Sequence, residues 1–156
     1  MWKTILIMTL VPSIISGTTY VDNESKAKLE YECLTEAIYF EAGIEPLAGK
    51  LAVGHVIMNR VADKRYANNI CDVVHQKNKK NQCQFSYYCD GKSDKPYKGN
   101  EYLETLDVAT YILHHDPMDI TEGALYYHAY FVNPSWNRAM THVMDLGKHK
   151  FYRDSK

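Results

Sequence analysis

The chain is 156 residues long, 46% hydrophobic and 24% charged, with a formal net charge of −1. Because it shows neither an internal repeat nor a low-complexity stretch, it fits one compact domain. The lysines near Gln76 to Lys80 form a short run and not a basic stripe, so nucleic-acid binding has no electrostatic support.

The N-terminus has the pattern of a secretory signal peptide. Lys3 precedes a short apolar run, and small residues follow it up to Gly17. We therefore predict that residues 1–17 are a signal peptide cleaved near Gly17, although the run also permits an uncleaved, loosely held anchor. Residues 18–28 are polar and predicted to be a disordered lead, and residues 29–156 to be the functional domain.

Three long helices are predicted along the domain. The first runs from about Leu29 to Ala42 and ends at Gly43, a residue type that readily takes the left-handed conformation after a helix. Pro46 is suited to the first turn of the second helix. The third spans about Asn100 to His115 and stops before Asp116-Pro117.

The remaining segments are predicted to be extended or irregular. Residues 81–91 alternate before an Asp-Gly turn, which indicates a small hairpin or loop excursion. Residues 123–136 indicate an extended segment, 137–147 a short helix closed by Gly147, and 148–153 a terminal strand. The predicted class is α+β, helix-dominant with a small hairpin.

Four cysteines and no CxxC pair point to disulfides in an exported protein. Four cysteines allow three connectivities. Their spacing favours Cys83 with Cys89 across a short loop, which leaves Cys33 with Cys71 by elimination. Buried free thiols are the alternative. Export and disulfides together predict a periplasmic or secreted location.

Glu41 interrupts the apolar face of the first helix. Leu34, Ala37 and Ile38 mark this face, and its next position is Glu41. Unpaired carbonyls of the last turn and crowding by apolar neighbours should raise the pKa of this carboxyl. A carboxyl protonated near neutral pH can act as a general acid. The ordinary alternative is a surface glutamate that points into water.

Metal binding has weak support from the sequence. Glu45 follows Glu41 at helical spacing, but the break before Pro46 should separate the two carboxylates. No close histidine pair supports a zinc site among His128, His142 and His149. No metal or other cofactor is expected.

A short aromatic stretch is suited to binding sugars. Tyr126, Tyr127, His128 and Trp136 combine rings that stack on sugars with groups that bond their hydroxyls or N-acetyl groups. Aromatic residues are also ordinary core. Since neighbours on a strand face opposite sides, one of the two tyrosines should be buried and the other exposed.

These motifs resemble the SleB-type cell wall hydrolases, the spore cortex-lytic enzyme family. The opening signature of that family is matched by "CLTEAIYFEAGIEPLAGKLAVGHVIMNRV", and later blocks by "CQFSYYCDG", "ALYYHAYFVNPSW" and "GKHKFYR" in the same order. The likeness covers about Cys33 to Arg153, particularly in the cysteine-bearing branch of Gram-negative bacteria and some phages. It departs at Gly43-Ile44, where the family commonly has Arg-Gly, so a basic group available for substrate contact is missing.

The resemblance implies a lysozyme-like α+β fold, related to lytic transglycosylases, in a catalytic domain over residues 29–156. It places one essential glutamate at Glu41. The implied partner is the peptidoglycan glycan strand, cut between N-acetylmuramic acid and N-acetylglucosamine. We also expect a monomer, which contacts the membrane only transiently, through its signal segment.

Competing functions remain open at this point. A hydrolytic muramidase would need a second carboxylate or a positioned water, with Glu45, Asp90 and Asp145 as candidates. A secreted module could instead hold glycan on its aromatic residues without cutting it. A disulfide-stapled structural or inhibitor protein would neither bind nor cut glycan.

Overall fold

The structure is a computed structural model that describes the backbone of residues 17–155 and the side chains of residues 21–155. The predicted signal peptide therefore lies, apart from Gly17, outside the described residues. Within residues 17–155, no helix is both long and apolar enough to cross a membrane. In the part of the chain that the structure describes, four α-helices and a small antiparallel sheet form the fold, as predicted for a helix-dominant α+β protein.

The helices have these bounds: α1 Gly17–Ala42, α2 Leu47–Ala62, α3 Ile70–Val74 and α4 Asn100–His115. The strands are β1 Tyr126–Ala129, β2 Met140–Leu146 and β3 His149–Asp154, with 3₁₀ helices at Ser86–Cys89 and Ser135–Ala139. The sheet order is β1-β3-β2, so the last strand lies in the centre and pairs antiparallel with both others.

Within residues 21–155, one apolar core joins the helices to the sheet. Helix α1 packs against α2, α3 and α4. Leu34 and Ile38 of α1, Val53 and Ile57 of α2, and Phe151 of β3 are fully buried. Because β3 carries a core residue in the middle of the sheet, the core fixes how the sheet lies relative to the end of α1.

Helix α1 begins earlier than the sequence pattern predicted. Residues 18–28, predicted to be a disordered lead, continue the helix back to Gly17. Side chains from Val21 to Leu29 are exposed, so packing does not hold this extension. No glycine or proline interrupts the stretch, and Lys28 pairs with Glu32 one turn later at 3.9 Å. The Lys28–Glu32 pair is a local contact that favours the extension, and the structure shows no packing that explains the rest of it.

The C-terminal region differs most from the prediction. Residues 137–147, predicted to be a helix closed by Gly147, form the end of a 3₁₀ helix and strand β2. Pairing with β3 decides this, because the spacing of apolar residues here fits either element. Gly147 has a φ of +57° and forms the turn of the β2–β3 hairpin. The hairpin therefore lies here. Residues 81–91 form a loop that contains the 3₁₀ helix Ser86–Cys89, and Cys83 of this loop makes an isolated bridge to Lys77.

The turn after α1 depends on Gly43 for a different reason from the one predicted. Gly43 is not among the glycines with positive φ. A Cβ at this position would lie 2.4 Å from the carbonyl oxygen of Tyr39. Only glycine permits this close approach, which ends the helix directly after Glu41 and Ala42.

Candidate active site

Glu41 lines a cavity of about 390 Å³ between the end of α1 and strand β1. The cavity also contains all four residues that the sequence predicted to bind sugar: Tyr126, Tyr127, His128 and Trp136. Arg60, Ala129, His149 and the loop residues Gln84 and Ser86 complete its wall. The fold thus brings the carboxyl and the aromatic stretch, distant in sequence, into one concave site.

The environment of Glu41 favours a protonated carboxyl. Burial raises its pKa, and two weaker effects oppose this rise: a hydrogen bond from Tyr127 and the positive charge of Arg60. The Tyr127 hydroxyl donates to Oε2 of Glu41 at 3.0 Å. The predicted direction of the pKa is therefore correct. Ile44, in the turn after α1, is exposed, so it is not one of the apolar neighbours expected to crowd this carboxyl.

Tyr127 contacts Glu41 directly. Burial and the Glu41 carboxylate raise the pKa of Tyr127 well above its usual value, so the phenol stays protonated and donates. Its ring packs against Phe151 of the core at a centroid distance of 5.7 Å. Tyr126 points to the opposite face of β1, but both tyrosines are half-buried. The prediction that one would be exposed is wrong, because Trp136 covers the second face at 5.9 Å.

His128 and Trp136 form a separate aromatic wall of the cavity. The His128 ring stacks on Tyr152 at 5.2 Å and meets Trp136 edge-on at 5.5 Å. Nδ1 of His128 donates to the carbonyl of Ala129 at 2.9 Å, which leaves Nε2 to accept from the Tyr152 hydroxyl at 3.1 Å. This arrangement holds the ring rigid and presents aromatic surface to the cavity.

Arg60 is a site residue that the sequence reasoning left without a role. Its side chain is buried, its Nε donates to the carbonyl of Leu125 at 2.9 Å, and its guanidinium lies 5.5 and 5.4 Å from the rings of Tyr66 and Phe85. These contacts fix a permanent positive charge near Glu41. The available signal was that Asn59 and Arg60 lie at the end of the stretch 'CLTEAIYFEAGIEPLAGKLAVGHVIMNRV', which resembles the opening signature of the family.

His149 is a second residue without a predicted role in the site. It lies at the start of β3, opposite Ala129 in the register, and its ring meets Tyr127 edge-on at 5.2 Å. Mainly because of burial, its pKa is lowered, so the imidazole is neutral near pH 7. Its Nδ1 is buried and has no hydrogen-bond partner among the described residues.

The disulfides connect Cys33 to Cys71 and Cys83 to Cys89, the pairing that the spacing favoured. The first joins α1 to α3 inside the core. The second closes the loop that carries Gln84 and Ser86 into the cavity wall. One disulfide therefore supports the scaffold, and the other shapes the site.

The other candidate carboxylates do not line this cavity. Glu45 is buried and accepts the backbone N–H of Lys148 at 2.8 Å, which ties it to the β2–β3 turn. The Asp145 carboxylate accepts bonds from His142 and Lys150 on the surface. Asp90 is exposed beside Lys92. Among the described residues, Glu41 is the one carboxylate in this cavity wall.

Residues 17–155 contain no cluster of three or more histidine, cysteine or acidic side chains that could hold a metal ion. A larger cavity of about 800 Å³ lies between α2 and α4. Its buried cation, Lys50, is already paired with Glu104, and none of the four predicted aromatic site residues lines it. The cavity at Glu41 is therefore the better candidate site.

Comparison with known proteins finds matches to this chain both in sequence and in fold. The family model described as cell wall hydrolase matches residues 44–152, beginning just after Glu41. The crystal structure of the catalytic domain of the Bacillus cereus SleB protein is similar, with a TM-score of 0.63, 24% identity and coverage of 81% of this chain and 91% of that chain.

A second similar structure is the catalytic domain of the germination-specific lytic transglycosylase SleB from Bacillus anthracis. Its TM-score is 0.63 at 24% identity, with coverage of 92% of this chain and 100% of that chain. A search of curated proteins found no match. This chain has the same fold as both solved structures, which confirms the lysozyme-like α+β class predicted from the sequence.

Proposed function

Because this chain belongs to the cell wall hydrolase family, we propose that it is a lytic transglycosylase that cuts peptidoglycan between N-acetylmuramic acid and N-acetylglucosamine. Membership of the family makes the chain an enzyme that acts on the cell wall. One observation carries the finer proposal: Glu41, a carboxyl with a raised pKa, shares a cavity with four aromatic side chains suited to sugars.

In the first step, protonated Glu41 gives its proton to the oxygen of the β-1,4 glycosidic bond. The bond between that oxygen and C1 of the muramoyl residue breaks, and an oxocarbenium-like state forms at C1. Glu41 is left as a carboxylate. The hydrogen bond from Tyr127 and the charge of Arg60 both favour this ionised form, so they stabilise the site as the proton departs.

In the second step, the Glu41 carboxylate removes a proton from the 6-hydroxyl of the same muramoyl residue. The 6-oxygen attacks C1, which closes a 1,6-anhydro ring, and Glu41 regains its proton. No water is consumed. One carboxyl serves as acid and then as base, in agreement with Glu41 being the one carboxylate among the described residues that lines the aromatic cavity.

The B. anthracis neighbour, described as a lytic transglycosylase, also favours this reaction over hydrolysis. A hydrolytic muramidase remains the second candidate, with a second carboxylate or a positioned water. Glu45 follows Glu41 in the chain and lines a neighbouring cavity with it, but the Glu45 carboxylate accepts the backbone N–H of Lys148. A binding module without activity is disfavoured by membership of an enzyme family.

The two disulfides and the cell wall family indicate that the chain acts outside the cytoplasm. We propose that residues 1–17 direct this export as a cleaved signal peptide, to the periplasm or the medium. N-terminal sequencing of the exported protein tests the proposal, and an unprocessed N-terminus that stays with the membrane would support the anchor instead.

Product analysis tests the reaction. The purified, oxidised protein is incubated with peptidoglycan sacculi, and the released fragments are analysed by mass spectrometry. We expect 1,6-anhydromuramoyl ends, and fragments one water heavier would indicate hydrolysis. Glu41→Gln should lose activity by roughly 10²-fold or more, since it removes the general acid and retains the shape.

Glu36→Gln is the matched control for this variant. Glu36 lies on the same helix, and burial also raises its pKa, but it does not line the cavity with Glu41. Equal losses in both variants would mean that the effect comes from the helix and not from the acid. Glycan release that survives in Glu41→Gln would refute the assignment of Glu41.

A further inference from the structure

Glu45 is a buried acidic residue that the proposed mechanism does not use. It lies in the turn that joins α1 to α2, and only 6% of its surface is exposed. Its carboxylate forms no ion pair in the part of the chain that the structure describes. Burying a carboxylate without a cation costs free energy unless hydrogen bonds replace its contacts with water. The contacts of this carboxylate therefore indicate its role.

One hydrogen bond joins the Glu45 side chain to the β2–β3 turn. Its Oε2 accepts the backbone N–H of Lys148 at 2.8 Å, although 103 positions separate the two residues in the chain. The carbonyl of Lys148 in turn accepts the N–H of Tyr130, the residue after β1, at 2.8 Å. The backbone of Lys148 is thereby held from two directions, by the turn after α1 and by the segment after β1.

Two glycines leave the space that this contact needs. A Cβ at Gly147, in the β2–β3 turn, would lie 2.1 Å from Oε2 of Glu45. A Cβ at Gly49, in the first turn of α2, would lie 2.9 Å from the Cβ of Glu45. Since glycine permits the backbone to approach more closely than any other residue does, the side chain of Glu45 fits between α2 and the hairpin turn.

The turn held by Glu45 leads directly into the candidate active site. His149 follows Lys148 in the chain and is the first residue of β3. Its ring lines the cavity at Glu41 and meets Tyr127 edge-on at 5.2 Å. Tyr127 donates its hydroxyl hydrogen to Glu41. A continuous series of contacts thus connects Glu45 with the proposed acid, although Glu45 does not line the cavity that contains the aromatic residues.

We propose that Glu45 is a positioning residue, which holds the β2–β3 turn through the N–H of Lys148 and thereby keeps His149 in place in the active site. The proposal rests on the proposed function, because the acid whose surroundings are fixed in this way is Glu41. In a hydrolytic muramidase, a second carboxylate would exchange a proton or bond with the substrate. Glu45 instead supplies a hydrogen-bond acceptor to the backbone, and its proton takes no part in the reaction.

Two substitutions of Glu45 separate positioning from acid–base chemistry. Glu45→Gln keeps an oxygen that can accept the Lys148 N–H, but an amide cannot exchange a proton as a carboxyl does. Glu45→Ala removes the acceptor. With kcat and KM measured on soluble glycan oligomers where each variant is fully folded, Glu45→Gln should keep kcat within about threefold of wild type. Glu45→Ala should lower kcat by roughly 10- to 100-fold, the size of effect expected when groups of a site are displaced slightly.

A double-mutant cycle tests whether the effect passes through His149. In a His149→Ala protein, Glu45→Ala should lower kcat little further, because the group that Glu45 positions is already absent. An equal loss in both backgrounds would overturn the proposal. A readout independent of activity is the set of NOE contacts between the rings of His149 and Tyr127, which should weaken in Glu45→Ala and persist in Glu45→Gln.

Asp145 supplies the matched control. Its carboxylate lies on β2 of the same hairpin and accepts bonds from His142 and Lys150, which belong to that hairpin as well. It does not line the cavity at Glu41. Asp145→Ala should change kcat by less than about twofold, since exposed ion pairs contribute little. An equal loss of kcat in Asp145→Ala and Glu45→Ala would mean that any weakening of the hairpin has this effect, which would overturn the specific role of Glu45.

The outcomes separate this proposal from the proposed function. If wild type releases anhydro products and Glu45→Gln is as inactive as Glu41→Gln, Glu45 takes part in the chemistry and the positioning role is wrong. If Glu45→Ala loses stability but keeps kcat, the residue is structural only, and the positioning role is again wrong. If wild type releases fragments one water heavier, or none, the transglycosylase reaction is wrong, and the NOE contacts of His149 in the two Glu45 variants still decide whether Glu45 positions this ring.

Discussion

The two disulfides should have different consequences when they are removed. Replacing Cys33 and Cys71 by alanine opens a link across 38 residues of chain, whereas replacing Cys83 and Cys89 opens a link across 6. In the chain-entropy model, the stabilisation by a disulfide grows with the logarithm of the loop it closes. The first double variant should therefore lose more stability than the second.

At 25 °C the chain-entropy model gives a stabilisation of about 4 kcal/mol for the disulfide that spans 38 residues and about 2 kcal/mol for the disulfide that spans 6. Cys33 and Cys71 are also buried in the core, so truncation to alanine adds the cost of a small void. Since small domains are stable by only about 5–15 kcal/mol, the first loss takes a large share of the total. Urea unfolding of both double variants and wild type measures these losses.

Activity should show the opposite order. The loop closed by Cys83 and Cys89 carries Gln84 into the wall of the cavity at Glu41, and without its disulfide this loop must be ordered when substrate binds. We expect KM to rise by about tenfold in this variant, with kcat less affected. The Cys33 and Cys71 variant should keep the KM of wild type wherever it is folded.

Two results would refute this reasoning. A stability loss from the short loop equal to or larger than that from the long one would mean that loop closure does not determine the effect. An unchanged KM in the short-loop variant, measured on soluble glycan oligomers at a temperature where it is fully folded, would mean that this loop does not contribute to substrate binding.

Three further predictions concern the site and the turn beside it. Tyr127→Phe removes a hydrogen bond that favours ionised Glu41, so the pKa of Glu41 should rise further and the alkaline limb of the kcat–pH profile should move to higher pH. An unchanged profile would mean that Tyr127 does not influence the ionisation of the catalytic acid. Burial raises the pKa of Glu41, so above the ordinary carboxyl range the native state binds more protons than the unfolded state, and the free energy of unfolding falls as pH rises. Glu41→Gln removes this effect and should therefore be more stable than wild type at pH 8. The difference in stability, measured by urea unfolding, should shrink by pH 4. Gly147 and Gly91 both have positive φ, but only at Gly147 would a Cβ lie 2.1 Å from Oε2 of Glu45. Gly91→Ala should cost about 1–2 kcal/mol for the strained backbone, and Gly147→Ala should cost more. Equal losses of stability in the two variants, measured by urea unfolding, would exclude the clash.

Features determined by neighbouring residues could be predicted well. The bounds of α4, Asn100–His115, agree with the prediction, because Asp116-Pro117 is a local stop signal. Helix α1 ends after Ala42 as predicted, which places Glu41 in its last turn. The cysteine partners also followed from spacing, since a separation of 6 residues favours a short loop.

The C-terminal strands could not be predicted in the same way. Residues 140–146 carry apolar side chains at a spacing that suits a helix as well as an irregular strand. Their pairing with β3 contains a register shift between His142 and Met144, so the alternation that identifies a strand is broken. Hydrogen bonds between residues 140–146 and β3, which follows the turn at Gly147, stabilise a strand here in place of the competing helix.

The sequence by itself determined the long helices and the presence of an acidic residue at the end of an apolar helix face, and it favoured the cysteine pairing that the structure shows. The tertiary structure decided which groups surround that residue. Tyr127 reaches Glu41 across 86 residues of chain, and Arg60 and His149 come from two further elements. Spacing along a chain constrains only residues within a few turns, whereas burial, hydrogen bonding and the pKa of Glu41 depend on how helices and sheet pack together.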